Sequence, residues 1–325
     1  MSLKKAIECI KRNRRFVVTA HTNLEGDALG SELAFSRLLR KLGKEALVIN
    51  EDSLPYGYDF MPQADTIKKF NKKLWNIKFD CFVILDCSDL KRCGDVACLA
   101  SSGKTILNID HHVSNKNFGN VNWVDHKASS CAELIYRLYK ALHIPLDKES
   151  AILLYAGIVA DTGSFRYTNT SSLTHKIASE LIRYGIDVAG IYQNVFENVP
   201  FSDIKLLLKI LPGIRRDASG RIAWFEIKNK IFRHRKVYFD LSERLLGFGR
   251  SIKGAEVVVL FKENLKARGE IRVNFRSQGG VDVNRIAAFF GGGGHKTASG
   301  ATVKGKLETV ARKVLAKIKE SLKGV

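Results

Sequence analysis

The sequence predicts an α/β protein, with a doubly wound parallel sheet first and a smaller α/β domain after it. Three observations carry this expectation. Through the first half, short apolar runs alternate with segments of helical periodicity, the pattern of strands joined by crossover helices. Several of those runs end in clusters of His, Asp or Glu. From about Pro200 the texture changes to apolar runs separated by Gly-containing turns, followed by the glycine run at 291–294.

In chain order, residues 16–20 read as the first strand, and residues 28–42 as a helix stopped by Gly43. Residues 46–50, 81–85 and 105–109 are further strands. Residues 130–142 form a helix with Leu134, Leu138 and Leu142 on one face, and residues 148–159 and 172–184 form two more, the latter closed by Gly185. Helices are expected on both faces of this sheet. In the second half, residues 222–227, 256–261 and 271–275 read as strands and residues 307–322 as a basic amphipathic helix. The expected division is a first domain at 1–185, a connection at 186–204 and a second domain at 205–325, with a cleft between the domains.

A chain of 325 residues exceeds the size at which one core usually stops growing, which agrees with that division. With 45% hydrophobic and 26% charged residues it has the composition of an ordinary globular protein. No apolar stretch is long enough to span a bilayer, and the first residues open an amphipathic helix instead of a signal-peptide core, so a cytoplasmic protein without membrane partners is expected. All six cysteines fall within the first 131 residues and none forms a C-x-x-C pair, which argues for reduced thiols and against a zinc cluster. The net charge of +20, from 53 Lys and Arg against 33 Asp and Glu, points to a polyanionic partner. The candidate site is itself acidic, so the basic surplus lies around it or on the other domain.

The chemistry sits at the strand ends. In an open parallel sheet the carboxyl ends of the strands share one edge, where ligands bind. The run 16–20 leads into His21, Glu25 and Asp27; the run 81–85 into Asp86; and the run 105–109 into Asp110, His111 and His112. Asp161 follows another apolar run, 152–160. Each alone has a bland explanation: Asp86 or its neighbour Asp89 as a helix cap, Asp161 as a helix end or Asx turn. Two histidines directly after a buried strand are harder to explain as core residues. Together the carboxylates and imidazoles suit divalent manganese, magnesium or zinc, and carboxylates brought that close need cations between them. The sequence reads as a metal-dependent hydrolase.

These residues resemble the motifs of the DHH phosphoesterases: His21-x-x-x-Glu25-x-Asp27-Ala28-Leu29-Gly30-Ser31, Asp86, Asp110-His111-His112 and Ala160-Asp161-Thr162-Gly163-Ser164. The second half resembles the associated DHHA1 domain, through Phe275-Arg276-Ser277, Asp282-Val283-Asn284, Ile286-Ala287 and the stretch Phe290-Gly291-Gly292-Gly293-Gly294-His295-Lys296-Thr297-Ala298-Ser299-Gly300. The compact layout is most similar to the NrnA-like branch of nanoRNases and phosphoadenosine-phosphate phosphatases. The resemblance implies two divalent cations, manganese first, with magnesium or cobalt as alternatives. His21, Glu25 and Asp86 would hold one; Asp27, Asp86, His111 and Asp161 would hold the other, with Asp86 bridging. Asp110 would orient a ligand imidazole, and His112 would face the scissile phosphate. Arg276 offers a planar fork for a terminal phosphate, and Gly293 and Gly294 expose backbone N–H donors beside His295, which would reach into the cleft. In this family an Asp normally stands at the position of Glu25, preceded by a proline that this chain replaces with Leu24.

The implied substrates are short RNA or DNA oligonucleotides and nucleotide 3′,5′-bisphosphates. Alternatives within the enzyme class are linear or cyclic dinucleotides, longer strands cut from the 5′ end, and, less well matched, pyrophosphate. The alternative outside it is a nucleic-acid-binding protein with a degenerate metal site. A homodimer is compatible with all of these.

Overall fold

The computed structural model describes residues 3–232, 241–264, 267, 269–278 and 280–323. The chain divides into two compact units, Met1–Asn198 and Val199–Val325.

The first unit is built on β1 (Arg15–Thr19), β2 (Glu45–Asn50), β3 (Lys68–Lys69), β4 (Cys81–Leu85), β5 (Thr105–Asp110) and β6 (Val121–Val124). All neighbours pair in parallel, in the order β3-β2-β1-β4-β5-β6. Its helices are α1 (Leu3–Arg12), α2 (Gly26–Lys41), α3 (Cys131–Ala141), α4 (Lys148–Asp161), α5 (Ser172–Ile182) and α6 (Val188–Tyr192). Every residue of β4 is buried, as a central parallel strand covered on both sides requires. On one face Phe16, Val18, Val83, Leu107 and Ile109 pack against apolar residues of α1 to α5, among them Leu29, Leu33, Leu153 and Leu154. On the other, Val17, Phe82 and Ile84 pack against Cys93, Val96 and Leu99. Those last three belong to a 3₁₀ stretch, Leu90–Ser102, interrupted at Gly94 (φ 67°, ψ −147°). The layer expected to be a helix on this face is therefore tight turns, because Gly94 breaks the run after its first turn.

Helix α2 crosses α4 at backbone contact. A Cβ on Gly30 would sit 2.4 Å from the Leu153 carbonyl oxygen, and one on Gly157 would sit 2.7 Å from Ala132 Cβ and 3.1 Å from Asp27 Oδ1. This close approach sets the C-terminal end of α4 beside the start of α2 and brings Asp161 towards Asp27. The strand order reverses direction at β1 and β4, which is where an open α/β sheet leaves its crevice.

The second unit contains α7 (Phe201–Ile210), β7 (Arg215–Arg216), β8 (Ile222–Ile227), α8 (Leu241–Arg250), β9 (Val257–Glu263), β10 (Glu270–Ser277), α9 (Val283–Phe289), β11 (Gly293–Gly294), β12 (Ala298–Lys304) and α10 (Leu307–Lys323). The mixed sheet runs β11-β12-β10-β9-β8-β7, with β8 and β9 parallel and the other pairs antiparallel. Helices α9 and α10 cover one face through Val283, Ile286, Val310 and Val314. Helices α7 and α8 cover the other through Leu206, Ile210, Leu245 and Leu246. Among the described residues no helix is long and apolar enough to cross a membrane.

Candidate metal centre

Strands β1, β4 and β5 deliver their clusters to one place. One ligand atom each from His21, Glu25 and Asp86 lie within 4.8 Å of one another, and the same holds for Asp27, Asp86 and His111, and for Asp86, Asp110 and His112. Asp86 belongs to all three groups. His21 Nε2 is 3.5 Å from Asp86 Oδ2 and 4.0 Å from Glu25 Oε1. His111 Nε2 is 3.3 Å from Asp86 Oδ1, 3.7 Å from Asp161 Oδ2 and 3.9 Å from Asp27 Oδ2. All six residues expected to hold metal are therefore assembled. Asp161 reaches the site from the last turn of α4, not from a strand.

The local backbone explains these placements. His21 Nδ1 lies 2.7 Å from the Thr22 carbonyl and His111 Nδ1 lies 3.3 Å from that of Ala128. A proton on each Nδ1 turns Nε2 towards the carboxylates, the orientation a ligand histidine needs. Asp86 adopts a left-handed backbone (φ 50°), a strained state that a functional position tolerates. Glu25 precedes α2 but makes no side-chain capping bond, so its carboxylate is not consumed by the helix end. Asp27 is anchored by the start of α3, accepting from Cys131 N at 2.7 Å and Ala132 N at 2.8 Å, and from Ser31 Oγ at 3.2 Å.

The electrostatics are those of an anion cluster short of cations. Burial, reinforced by the charges of Asp86 and Asp161, pushes the Asp27 carboxyl well above its usual range. Burial likewise raises Asp161, with the Asp86 charge adding to it. Glu25 is pushed up to about 8 by burial and then by Asp86 and Asp161, although its side chain is 41% exposed and water offsets part of that effect. Asp86 moves the other way: burial opposes its charge, but the imidazoles of His111 and His21 prevail and hold it ionised. For His21, burial opposes protonation and Asp86 outweighs it, taking the ring up to about 9. Among the described residues, the ion-pair partners of Asp27, Asp86, Asp161 and Glu25 are all imidazoles. Among the described residues Asp86 Oδ1 is buried with no well-directed hydrogen bond, its nearest donors being His111 Nε2 at 3.3 Å and His112 Nδ1 at 3.5 Å. A buried carboxylate oxygen in that state, ringed by oxygen and imidazole donors, fits a divalent cation.

Asp110 corrects one expectation. It pairs with His112, whose Nδ1 lies 2.7 Å from Oδ1, and not with the candidate ligand His111. Alternation along the extended chain is the reason, since residues two apart share a side and adjacent ones do not. Two residues the sequence reading passed over complete the frame. Asn115 Nδ2 donates to Asp110 Oδ2 at 2.6 Å and to Asn108 Oδ1 at 2.8 Å. Asn169 Nδ2 donates to the Ser129 carbonyl at 2.7 Å and to Asp161 Oδ2 at 3.1 Å. Position alone would not single them out, because asparagine in a loop is ordinary turn chemistry. Asp89 caps the 3₁₀ stretch, accepting from Lys91 N.

In the second unit, Arg276 lies on β10 opposite Ala298 of β12, and Ser299 pairs with Gly294 of β11. The turn is closed by His295 N donating to the Ala298 carbonyl at 2.7 Å, which sets His295 at the same end of the sheet as Arg276. The glycines there have structural reasons as well. Gly294 sits at φ 147°, where a Cβ would meet the Ala298 carbonyl at 2.5 Å, and a Cβ on Gly292 would meet the Gly300 carbonyl at 2.1 Å. At Gly293 the nearest atom would be 3.8 Å away, so that residue has room for a side chain.

A parallel α/β unit with carboxylates and imidazoles gathered at its strand ends defines the class of metal-centred hydrolases. Residues 15–158 match the DHH family, N-terminal domain, and residues 234–324 match the DHHA1 domain. The chain is 30% identical over 306 residues to the bifunctional oligoribonuclease and PAP phosphatase NrnA of Thermus thermophilus, covering 94% of this chain and 89% of that one. It is 30% identical over 290 residues to the protein of the same name from Bacillus subtilis, covering 88% of each. An exopolyphosphatase-related protein from Bacteroides fragilis superposes with a TM-score of 0.87 at 28% identity, over 98% of this chain and 97% of that one. The chain belongs to the DHH/DHHA1 phosphoesterases, hydrolases of phosphate esters, in the NrnA-like branch.

Proposed function

We propose that this protein hydrolyses short oligonucleotides and nucleotide 3′,5′-bisphosphates with two divalent cations, which a mixed carboxylate and imidazole shell suits, manganese being the ion that the family resemblance implies first. The observation that supports this most is the shared position of Asp86, within ligand distance of two separate sets of donors. His21, Glu25 and Asp86 would hold one ion; Asp27, Asp86, His111 and Asp161 would hold the other. When bound, such a pair supplies Lewis-acid activation of a water and neutralises charge on the phosphoryl group.

The remaining chemistry belongs to the chain's own residues. Asp110, held by Asn115, fixes the His112 ring through Nδ1. That leaves Nε2 of His112 as the atom that donates to a phosphoryl oxygen or carries the proton to the leaving group. Arg276 binds a terminal phosphate through its guanidinium fork, with Gly293, Gly294 and His295 around it, and so selects short substrates by their ends. The relatives named above as oligoribonucleases and PAP phosphatases support this choice of substrates.

The test is release of mononucleotides from an end-labelled dinucleotide, with and without manganese, beside phosphate release from a nucleotide bisphosphate. Metal-dependent turnover of either is expected. A folded protein that binds both but cleaves neither at saturating manganese, magnesium or cobalt would leave a nucleic-acid-binding role instead.

A further inference from the structure

Arg276 is already engaged. Its guanidinium meets the Glu243 carboxylate of α8 through two nitrogens: Nη2 with Oε1, and Nε with Oε2 at 3.3 Å. The third nitrogen, Nη1, donates to the carbonyl of Phe275 at 2.8 Å. The two side chains differ in freedom. Arg276 is 15% exposed and pinned by its own strand, whereas Glu243 is 52% exposed. The carboxylate can swing into solvent; the guanidinium stays. Ile271, Val273 and Phe275 of β10 point into the core shared with α9 and α10, so Arg276 stands on the opposite face, beside α8. Across from it on β12 are the small residues Ala298 and, two positions on, Gly300.

We propose that Glu243 is a specificity residue: its two oxygens occupy the Arg276 fork in place of a substrate phosphate, and a ligand enters only if it carries an anion able to displace them. This inference rests on the reading of Arg276 as the terminal-phosphate residue. A carboxylate and a phosphate present the same pair of oxygens to a guanidinium, so the two compete directly. A terminal phosphate, carrying up to two charges, displaces Glu243; a neutral 5′-hydroxyl does not. Glu243 therefore leaves the grip on an unphosphorylated end unchanged and weakens the grip on a phosphorylated one.

The experiment compares the full-length wild-type protein with Glu243→Gln and Arg276→Gln. Each is assayed on one dinucleotide with and without a 5′-phosphate, and inorganic phosphate serves as competitive inhibitor. Glu243→Gln keeps the side chain's shape and removes the charge. It is expected to lower KM for the phosphorylated dinucleotide and Ki for inorganic phosphate by about two- to fivefold, the worth of a partly exposed ion pair. Its kcat and its KM for the unphosphorylated dinucleotide should stay as in wild type. Arg276→Gln should raise KM for the phosphorylated form alone. A selective rise in KM in Glu243→Gln would show that Glu243 positions the fork, and no change would show that it is a bystander; either overturns the inference. If Arg276→Gln affects both dinucleotides alike, the reading of Arg276 itself fails. Because Glu243 is exposed, unfolding is not expected, and the unphosphorylated substrate reports it if it occurs.

Discussion

Loading the centre with metal at pH 7 should expel protons. In the metal-free protein Asp86 takes His21 up to about 9, and burial with neighbouring charge takes Glu25 up to about 8. A cation needs a neutral imidazole and an ionised carboxylate, so both groups must give up a proton to bind it. Each pKa unit above the working pH costs about one decade of apparent affinity, ~1.4 kcal/mol. At pH 7 that is about two decades from His21 and up to about one from Glu25, whose 41% exposure reduces its share. Manganese affinity at this position should thus rise between about ten- and a hundredfold per pH unit from pH 6 to 8, then level off near pH 9. Calorimetric titration of manganese in two buffers of different ionisation enthalpy reads the proton count directly. One to two protons per chain from this position are expected at pH 7. A binding enthalpy that does not depend on the buffer would mean that His21 and Glu25 already stand in their ligand states, and would refute the argument.

Other perturbations reach the same frame. Glu32 is buried on α2, with Oε1 unpaired and Oε2 accepting from Asn50 Nδ2 at 2.8 Å, and burial raises it to about 8. Its folded pKa lies above its unfolded value, so the stability it carries is fully present below about pH 4.5 and is lost as pH rises through about 8. That loss is at most roughly 5 kcal/mol, and the stability gap between Glu32→Gln and wild type should widen across that window in thermal melts; a constant gap would place water beside Glu32. Gly157→Ala should cost ~1–3 kcal/mol by overpacking and raise the manganese needed for half-maximal activity, since the new Cβ falls 3.1 Å from Asp27 Oδ1. Destabilisation without a change in metal requirement would separate the helix crossing from the site. Glu25→Asp should lower the manganese requirement without changing which substrates are cleaved, because the shorter carboxylate has one rotamer fewer to fix; a higher requirement would show that the loop is fitted to glutamate.

Most of the first unit was legible because its signals are local. Strands β1, β2, β4 and β5 are apolar runs with punctuation, and each falls within a residue or so of its expected place. The gathering of the candidate residues was readable because strand ends of a parallel sheet converge whatever the loops do. Helices α7 and α8 and strand β12 were not read from the sequence at all, and the other omissions were short or tertiary. Strand β6 has four residues and carries a buried asparagine, Asn122, so no periodicity marks it. Helix α9 has seven residues and is declared only by its cap, Asp282, which accepts from Asn284 N and Arg285 N. The 3₁₀ layer in place of a helix follows from one backbone conformation at Gly94. Asn115, Asn169 and the Glu243–Arg276 pair act through contacts between segments far apart in sequence, which spacing does not encode.

The central claim is that one carboxylate, Asp86, serves two metal positions. Counting bound manganese per chain by electron paramagnetic resonance, in wild type and in Asp86→Asn, tests it most directly. Two ions should bind the wild type, and Asp86→Asn should lose both from the tight range, because a single neutral amide oxygen replaces the two charged oxygens that face both donor sets. A folded Asp86→Asn protein that still binds two ions at wild-type affinity, or loses only one, would contradict the account.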